Sequence, residues 1–268
     1  MSGPASLGTL KMTITYYHAE PLANSLKSMI PLKEKGIAYT STYVDLHKFE
    51  QHSDWFKAIN PEGQVPVLDH AGTIITHTTV INEYLEDVFP DQQPESGPLR
   101  PTDPAGAARM RYWNKFVDEH VMNHVSMHGW HRLVGVIARN VENGEFEKLM
   151  EHVPLPDQRK KWMQARSGFS DADLALATEK IEYALNKVEA QLGETPYLAG
   201  THFTLADINF YSHCGMMVER MFPDLEVAKH FPRMVKWRDI VTARPAVADA
   251  LSSEDRTAPG LRTWSGDR

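Results

Sequence analysis

The sequence predicts a chain in two parts, an α/β unit followed by a unit made only of helices. Strand-like and helix-like segments alternate as far as Phe89. After the five prolines of the stretch Pro90 to Pro104, only helical patterns recur. A third observation is the run Asn60-Pro61-Glu62-Gly63-Gln64-Val65-Pro66-Val67-Leu68. It marks a turn, an X-Pro bond and a short strand within the first unit.

Thr13 to His18 is β-branched and aromatic and reads as a strand. Glu20 to Asn24 reads as a turn, and Ser25 to Lys35 has helical composition ending at Gly36, the residue best suited to a C-terminal left-handed conformation. Tyr39 to Val44 is a second strand, and a right-handed crossover makes the two strands parallel. Val67-Leu68 and Thr73 to Thr76 flank His70-Ala71-Gly72, a hairpin signal. Thr79 to Phe89 closes the unit as a helix with Val80, Ile81, Tyr84, Leu85 and Val88 on one face. The order β-α-β then β-β-α is thioredoxin-like. Asp103-Pro104 supplies an N-cap and a first-turn proline for a long helix. Ser170 with Asp173 begins a helix that runs to Leu192-Gly193. Thr204-Leu-Ala-Asp207 has the form of a capping box, with Phe203 and Ile208 at staple spacing. The predicted domains are 12–90, α/β, and 103–251, all-α.

Composition narrows the class. A length of 268 residues suits two modest domains. No apolar run approaches ~18 residues, so no transmembrane helix is expected. Met1 to Lys11 has no basic start followed by an apolar stretch; it reads as a loose arm rather than a signal peptide, and the tail from Ser252 reads likewise. The single cysteine, Cys214, rules out an internal disulfide and fits a reducing cytoplasm. A formal charge of −7 without a basic stripe argues against a nucleic-acid partner.

Val65-Pro66 is a candidate cis peptide. A valine held there turns its backbone N–H and C=O outward, ready to pair with an extended peptide. Thr78 sits where it can cap the following helix, and helix N-termini bind carboxylates. One peptide-like ligand with a carboxylate end satisfies both features, and glutathione is such a ligand. On Val65-Pro66 alone, an ordinary proline turn without a ligand fits as well.

These motifs, followed in order by the Thr204–Asp207 box and by Ala243-Arg244-Pro245, resemble the glutathione S-transferases over roughly residues 12 to 250. The resemblance implies glutathione as co-substrate, a soluble symmetric homodimer and a glutathione site at Gln64, Val65, Pro66, His77 and Thr78. Val65-Pro66 would hold the cysteinyl backbone and Thr78 the γ-glutamyl carboxylate. Many members carry an acidic residue where this chain has His77, so another carboxylate must face the γ-glutamyl ammonium or it is held less tightly. The thiol of glutathione, with a pKa of about 8.5, needs help to ionise. In this fold it lies beside the turn after the first strand, where Asn24 and Ser25 are candidate catalytic donors, with Tyr16 and Tyr17 as alternatives. Ser25 fits equally well as a helix cap alone. No cysteine belongs to that turn, which favours glutathione itself as the nucleophile.

The second substrate is expected against the long helix. Trp113, Val117, His120, His124 and His131 fall within an arc of roughly 60°, with His128 nearby. An aromatic, polar-tipped face suits an oxygen-bearing aromatic ligand; packing or solvation of that face is the plainer alternative. His120 and His124 have metal-ligand spacing, but no third ligand is evident beyond His128, so no metal is expected. Ala23 to Lys27, Lys48 to Phe56, Glu83 to Pro90, and Pro154-x-Pro156 with Lys161-Trp162-x-x-Ala165-Arg166-x-Gly168-Phe169 are similar to the bacterial glutathione-dependent β-aryl etherases. That resemblance implies attack of glutathione thiolate on the carbon bearing an aryloxy group, beside a ketone, with loss of a phenolate. Transfer to another electrophile, such as a halide or epoxide, and a non-catalytic binding role remain the alternatives.

Overall fold

The computed structural model describes residues 13–20 and 23–252. The arm before residue 13, two residues of the Glu20–Asn24 turn and the tail after Ser252 lie outside the described residues. The first unit contains β1 (Ile14–His18), α1 (Ala23–Glu34), β2 (Thr40–Tyr43), a short α2 (Asp54–Lys57), β3 (Val67–His70), β4 (Thr73–Thr76) and α3 (Thr78–Val88). Its four strands lie in the order β2-β1-β3-β4. β1 runs parallel to β2 and antiparallel to β3, and β3 runs antiparallel to β4. The hairpin is tighter than its turn residues suggest. His70 pairs with Thr73, leaving Ala71 and Gly72 as a two-residue loop, both with positive φ, the conformation that matches strand twist.

α1 is buried on nearly all sides. Leu26, Met29, Ile30 and Leu32 have no exposed surface, and Ser25, Lys27 and Ser28 are buried with them. The helix lies against α3 on one side and against the helical unit on the other. α3 differs from its apolar pattern. Ile81 and Leu85 are buried as expected, but Val80 is 54 % exposed, while Asn82 and Glu86 are buried. The reason is electrostatic. Lys35 donates to Glu86 at 2.8 Å and Asn82 donates to the Lys27 carbonyl at 3.1 Å, so two polar residues find partners inside and the buried arc rotates away from Val80.

The second unit opens with one nearly continuous helical run: α4 (Pro104–Phe116), a π-turn (Val117–Val121), α5 (Met122–Gly129), a second π-turn (Trp130–Val134) and α6 (Gly135–Asn140). Asp103 caps it as expected, accepting from the Gly106 N–H at 2.7 Å. α7 (Asn143–Glu151) and α8 (Pro156–Ser167) precede α9 (Asp171–Glu194), which Ser170 caps. α10 (Leu205–Phe210) begins at the expected Thr204–Asp207 capping box and continues through a third π-turn, Tyr211–Gly215. The short α11 (Val218–Met221) and α12 (Val227–His230) lead to α13 (Pro232–Thr242) and α14 (Pro245–Ser252).

One core runs through both units, from Ile14, Tyr16 and Leu68 of the sheet through α1 to Met110, Ile181, Phe210 and Trp237. Arg244 reinforces the join, gripping both carboxylate oxygens of Glu34 at 2.6 and 2.8 Å and lying over the Phe203 ring. A second cluster forms where α6, α7 and α8 meet Phe49, whose ring centroid lies 4.6 Å from that of Trp162.

Candidate active site

The Asn60–Pro66 loop is held by its own side chains. The Asn60 amide donates to the Gln64 carbonyl at 2.8 Å, and its oxygen accepts from the Glu62 N–H at 3.2 Å. Gly63 has φ +62°, and a Cβ there would lie 2.7 Å from His52 Nδ1 and 2.9 Å from the Gln51 carbonyl, so the loop closes only on glycine. The Val65-Pro66 bond is cis, as expected. Beyond it opens a cleft of about 240 Å³ between the α/β unit and the long helix. Its lining joins Asn24, Gln64, Val65, Pro66, His77 and Thr78, all singled out in the sequence, to Glu62, Thr79, Asp118 and Met122.

Thr78 does not cap α3. His77 holds the N-cap position with φ +63°, without a side-chain cap, and Thr78 is the first helical residue. Its N–H is therefore one of the donors that a helix start leaves without an intrahelical partner. A non-glycine residue in the left-handed region costs of order 1–3 kcal/mol, a strain commonly found at ligand sites. His77 Nε2 lies 3.6 Å from a Glu62 carboxylate oxygen, which places a negative charge in the cleft beside the residue that lacks one.

The opposite wall carries Asp118, which the first π-turn presents to the cleft. Lys27 Nζ donates to Asp118 Oδ1 at 2.8 Å and to Thr79 Oγ1 at 2.7 Å; the Thr79 hydroxyl donates to Asp118 Oδ2 at 2.6 Å, and Asn209 Nδ2 to Oδ1 at 3.0 Å. Burial opposes ionisation of Asp118, but the Lys27 ammonium and these hydrogen bonds outweigh it and hold the carboxyl below its usual range. Asp118 is a compensated charge that ties α1, α3 and α10 to the first π-turn at the cleft wall. Nothing in the local sequence marks it. The signal is tertiary, because residues 27, 79, 118 and 209 meet only in the fold.

At the β1–α1 turn, Asn24 lines the cleft and Ser25 does not. Ser25 is buried, its Oγ accepting from the Ala19 N–H at 3.2 Å and its carbonyl accepting from the Tyr16 hydroxyl at 2.7 Å. Tyr16 is a core residue whose hydroxyl is pushed well above its ordinary value by burial. Tyr17 packs edge-on against Phe56. His213 Nε2 lies 3.0 Å from Asn24 Oδ1, so the helical unit holds Asn24 in place. Cys214 is buried and its thiol is pushed up to about 12 by burial, which leaves it protonated and inert.

The aromatic and histidine face of the long helix is not brought to this cleft. Trp113 is buried, edge-on to Phe116, and His120 lies against Phe116 at 5.3 Å. His124 bonds the His120 carbonyl. His128 Nε2 lies 3.1 Å from both the Leu174 carbonyl and Thr178 Oγ1 on α9, with Phe222 against its ring. At 100° per residue, Asp118 and His120 stand about 200° apart, as do Met122 and His124. The periodicity therefore found a real face, but one that packs on α9 or meets solvent. Among the described residues no group of three or more His, Cys, Asp or Glu is placed to hold a metal ion.

Residues 12–87 match the model of the glutathione S-transferase N-terminal domain, and residues 156–254 match that of the C-terminal domain. The chain is 43% identical to Protein LigF of Sphingobium sp. (strain NBRC 103272 / SYK-6), over 91% of this chain and 95% of LigF. It belongs to the glutathione S-transferase family. Glutathione is the co-substrate of that family. The crystal structure of β-etherase LigF from Sphingobium sp. strain SYK-6 superposes with a TM-score of 0.85 at 41% identity, covering 89% of this chain and 98% of that one. The glutathione S-transferase GstA of Escherichia coli O157:H7 is 29% identical over 88% of this chain and 96% of its own. Glutathione transferase F7 from Populus trichocarpa shares the fold, with a TM-score of 0.69 at 20% identity over 91% of this chain and 100% of that one. Among the described residues no helix of this transferase is long and apolar enough to cross a membrane.

Proposed function

We propose that this transferase cleaves β-aryl ether bonds in lignin-derived aromatic ketones, using glutathione thiolate as nucleophile and giving a glutathione thioether and a phenol. The observation that carries the reading is the 43% identity, over 91% of this chain, to LigF, which is described as a β-etherase. The unit spanning 12–90 would hold glutathione and the helical unit spanning 103–251 would meet the ketone. Val65 would pair with the cysteinyl backbone, with Pro66 and Gln64 shaping that edge, and Thr78 would take the γ-glutamyl carboxylate. Glu62, paired only loosely with His77, supplies the carboxylate for the ammonium.

The thiol would lie beside Asn24 and Ser25. The Ser25 oxygen already accepts from Ala19, and a hydroxyl keeps one proton to donate. Each pKa unit by which the site lowers the thiol's value of about 8.5 requires roughly 1.4 kcal/mol of preference for the anion. The ketone would enter beside Met122, which lines the cleft, rather than against Trp113, His120, His124 and His128, which do not line it. Product analysis by mass spectrometry tests the reaction. One glutathione should be consumed per phenol released, with the thioether formed. Glutathione disulfide in its place, or no phenol from any aryl ether ketone, would leave transfer to another electrophile.

The protein is further proposed to act in the cytoplasm as a homodimer. Val80 on α3 and Tyr112 on α4, both more than half exposed, support a partner surface on these adjoining helices. Light scattering at micromolar concentration should give twice the mass of the chain, and a monomer would refute the dimer.

A further inference from the structure

His213 is a buried histidine that the proposed reaction leaves without a part, and it meets a residue of the cleft directly. It sits on the third π-turn, in the helical unit, while Asn24 opens α1 of the α/β unit. Nε2 of the ring lies 3.0 Å from Asn24 Oδ1, and Nδ1 lies 3.1 Å from the Asn209 carbonyl. Asn24 lines the cleft. Its amide oxygen is turned to the histidine, and among the described residues its Nδ2 donates to no protein atom. That nitrogen is the polar end of the side chain left for a ligand.

The proton on the ring decides how the amide is turned. Asn24 Oδ1 can only accept, so Nε2 carries a hydrogen when it bonds that oxygen. With Nε2 bare, the amide would turn over, give its NH2 to the ring and leave its oxygen to the cleft. An amide oxygen repels an anionic sulfur, whereas the NH2 donates to it. The Asn209 carbonyl competes for the ring proton, because a neutral imidazole has one N–H and only an imidazolium bonds both partners. Burial, with Lys27 of α1 nearby, lowers the ring to about 4, while the Asn209 carbonyl and Asp118 of the first π-turn oppose that shift. At neutral pH one proton is therefore shared between two claimants. An anion on the cleft side of Asn24 draws the NH2 toward itself, turns the oxygen to the ring and favours the hydrogen on Nε2. By reciprocity, a ring able to donate from Nε2 favours the anion.

We propose that His213 is a positioning residue for the glutathione sulfur: its Nε2–H holds Asn24 Oδ1, which turns the Asn24 NH2 to the cleft as a donor to the thiolate. This rests on the reading that sets the thiol beside Asn24. The contribution is one of orientation alone. The thiol proton leaves to solvent, and His213 neither receives it nor touches the sulfur. Without His213, Asn24 remains on α1 but is free to present either end of its amide.

The test is a pH titration of bound glutathione, followed by the ultraviolet absorbance of the thiolate. The proteins are wild type, Asn24→Ala, His213→Leu, His213→Asn, His213→Gln and the double variant Asn24→Ala with His213→Leu. Asn24→Ala should raise the midpoint by about one pH unit, the effect of one hydrogen bond to an anion. His213→Leu should raise it by roughly half that or more, up to the full effect of Asn24→Ala. The double variant should go no further than Asn24→Ala alone, because His213 acts only through that amide. His213→Gln sets an N–H where Nε2 stood and should stay near wild type. His213→Asn stops at the Nδ1 position, so it should follow His213→Leu while keeping a polar group in the core. A midpoint does not depend on how much of a variant is folded. If the His213→Leu rise recurs in full on the Asn24→Ala background, or is absent, or is matched by His213→Gln, the proposal is overturned. An unchanged midpoint in Asn24→Ala would put the thiol elsewhere, and the proposal falls with that reading. No aryl ether enters the titration, so failure of the etherase reading shows separately, in the product analysis.

Discussion

Thr78 lines the cleft at the start of α3, where the helix start adds partial positive charge. Thr78→Val keeps the shape and the N–H but removes the hydroxyl. It should weaken glutathione binding by about 1–3 kcal/mol, the range for a hydrogen bond to a charged group. Titration calorimetry checks this, and unchanged affinity would mean that the carboxylate is held elsewhere. His77 shows a different residue-scale effect. An acidic side chain at this position would bring its own charge to the cleft, whereas here the charge sits on Glu62, across the cleft lip. Glu62 is adjacent to Gly63 in sequence, yet its relation to His77 exists only because the glycine lets the loop fold back over His52.

Among the elements, the capping box of α10 does the most for the second unit. Asp207 is fully buried and accepts from the N–H groups of Leu198 and Thr204 and from the Trp237 indole, each at 3.0 Å. Asp207→Ala would leave three buried donors without acceptors, at about 1–3 kcal/mol each. The expected loss is about 3 kcal/mol or more of stability in urea unfolding, with Asp207→Asn losing less because its amide oxygen still accepts. A loss under about 1 kcal/mol would mean that Asp207 is not the organiser of this helix start. The π-turns act at the same scale. The one at Val117–Val121 keeps Val117 and Val121 in the core while presenting Asp118 to the cleft. Such turns occur often at functional sites.

For the molecule as a whole, buried histidines govern the response to acid. Burial, with Lys57 and His152 nearby, lowers His52 to about 4; burial, with Lys27 nearby, lowers His213 to about 4; burial also lowers His128. In the unfolded chain these groups take up protons near the ordinary value of 6.5; in the folded chain His52 and His213 do so only near 4, and His128 is lowered in the same direction. The unfolded state therefore binds more protons across that window, and stability falls as pH falls through it. Asp207 works the other way. Burial raises it to about 6, so the folded carboxyl gains its proton before the unfolded one at 3.8. Several histidines outweigh one carboxyl, and the midpoint of urea unfolding should be lower at pH 5 than at pH 7. An equal or higher midpoint at pH 5 would show that the histidines protonate freely in the native state.

Local chemistry determined much of this protein by itself. Strand composition, glycine and proline punctuation and the caps at Asp103, Ser170 and Thr204 each act within a few residues, and the sheet unit followed by helices is legible from them. The Val65-Pro66 turn and Thr78 were legible for the same reason, since a proline turn and a helix start are local objects. Tertiary structure decided which faces those elements turn inward. Val80 lost its place in the core because Asn82 and Glu86 found buried partners on α1 and beyond it, and hydropathy cannot register a partner fifty residues away. The histidine face of the long helix lost the cleft to Asp118 and Met122, because helical periodicity defines an arc but not the neighbour it meets.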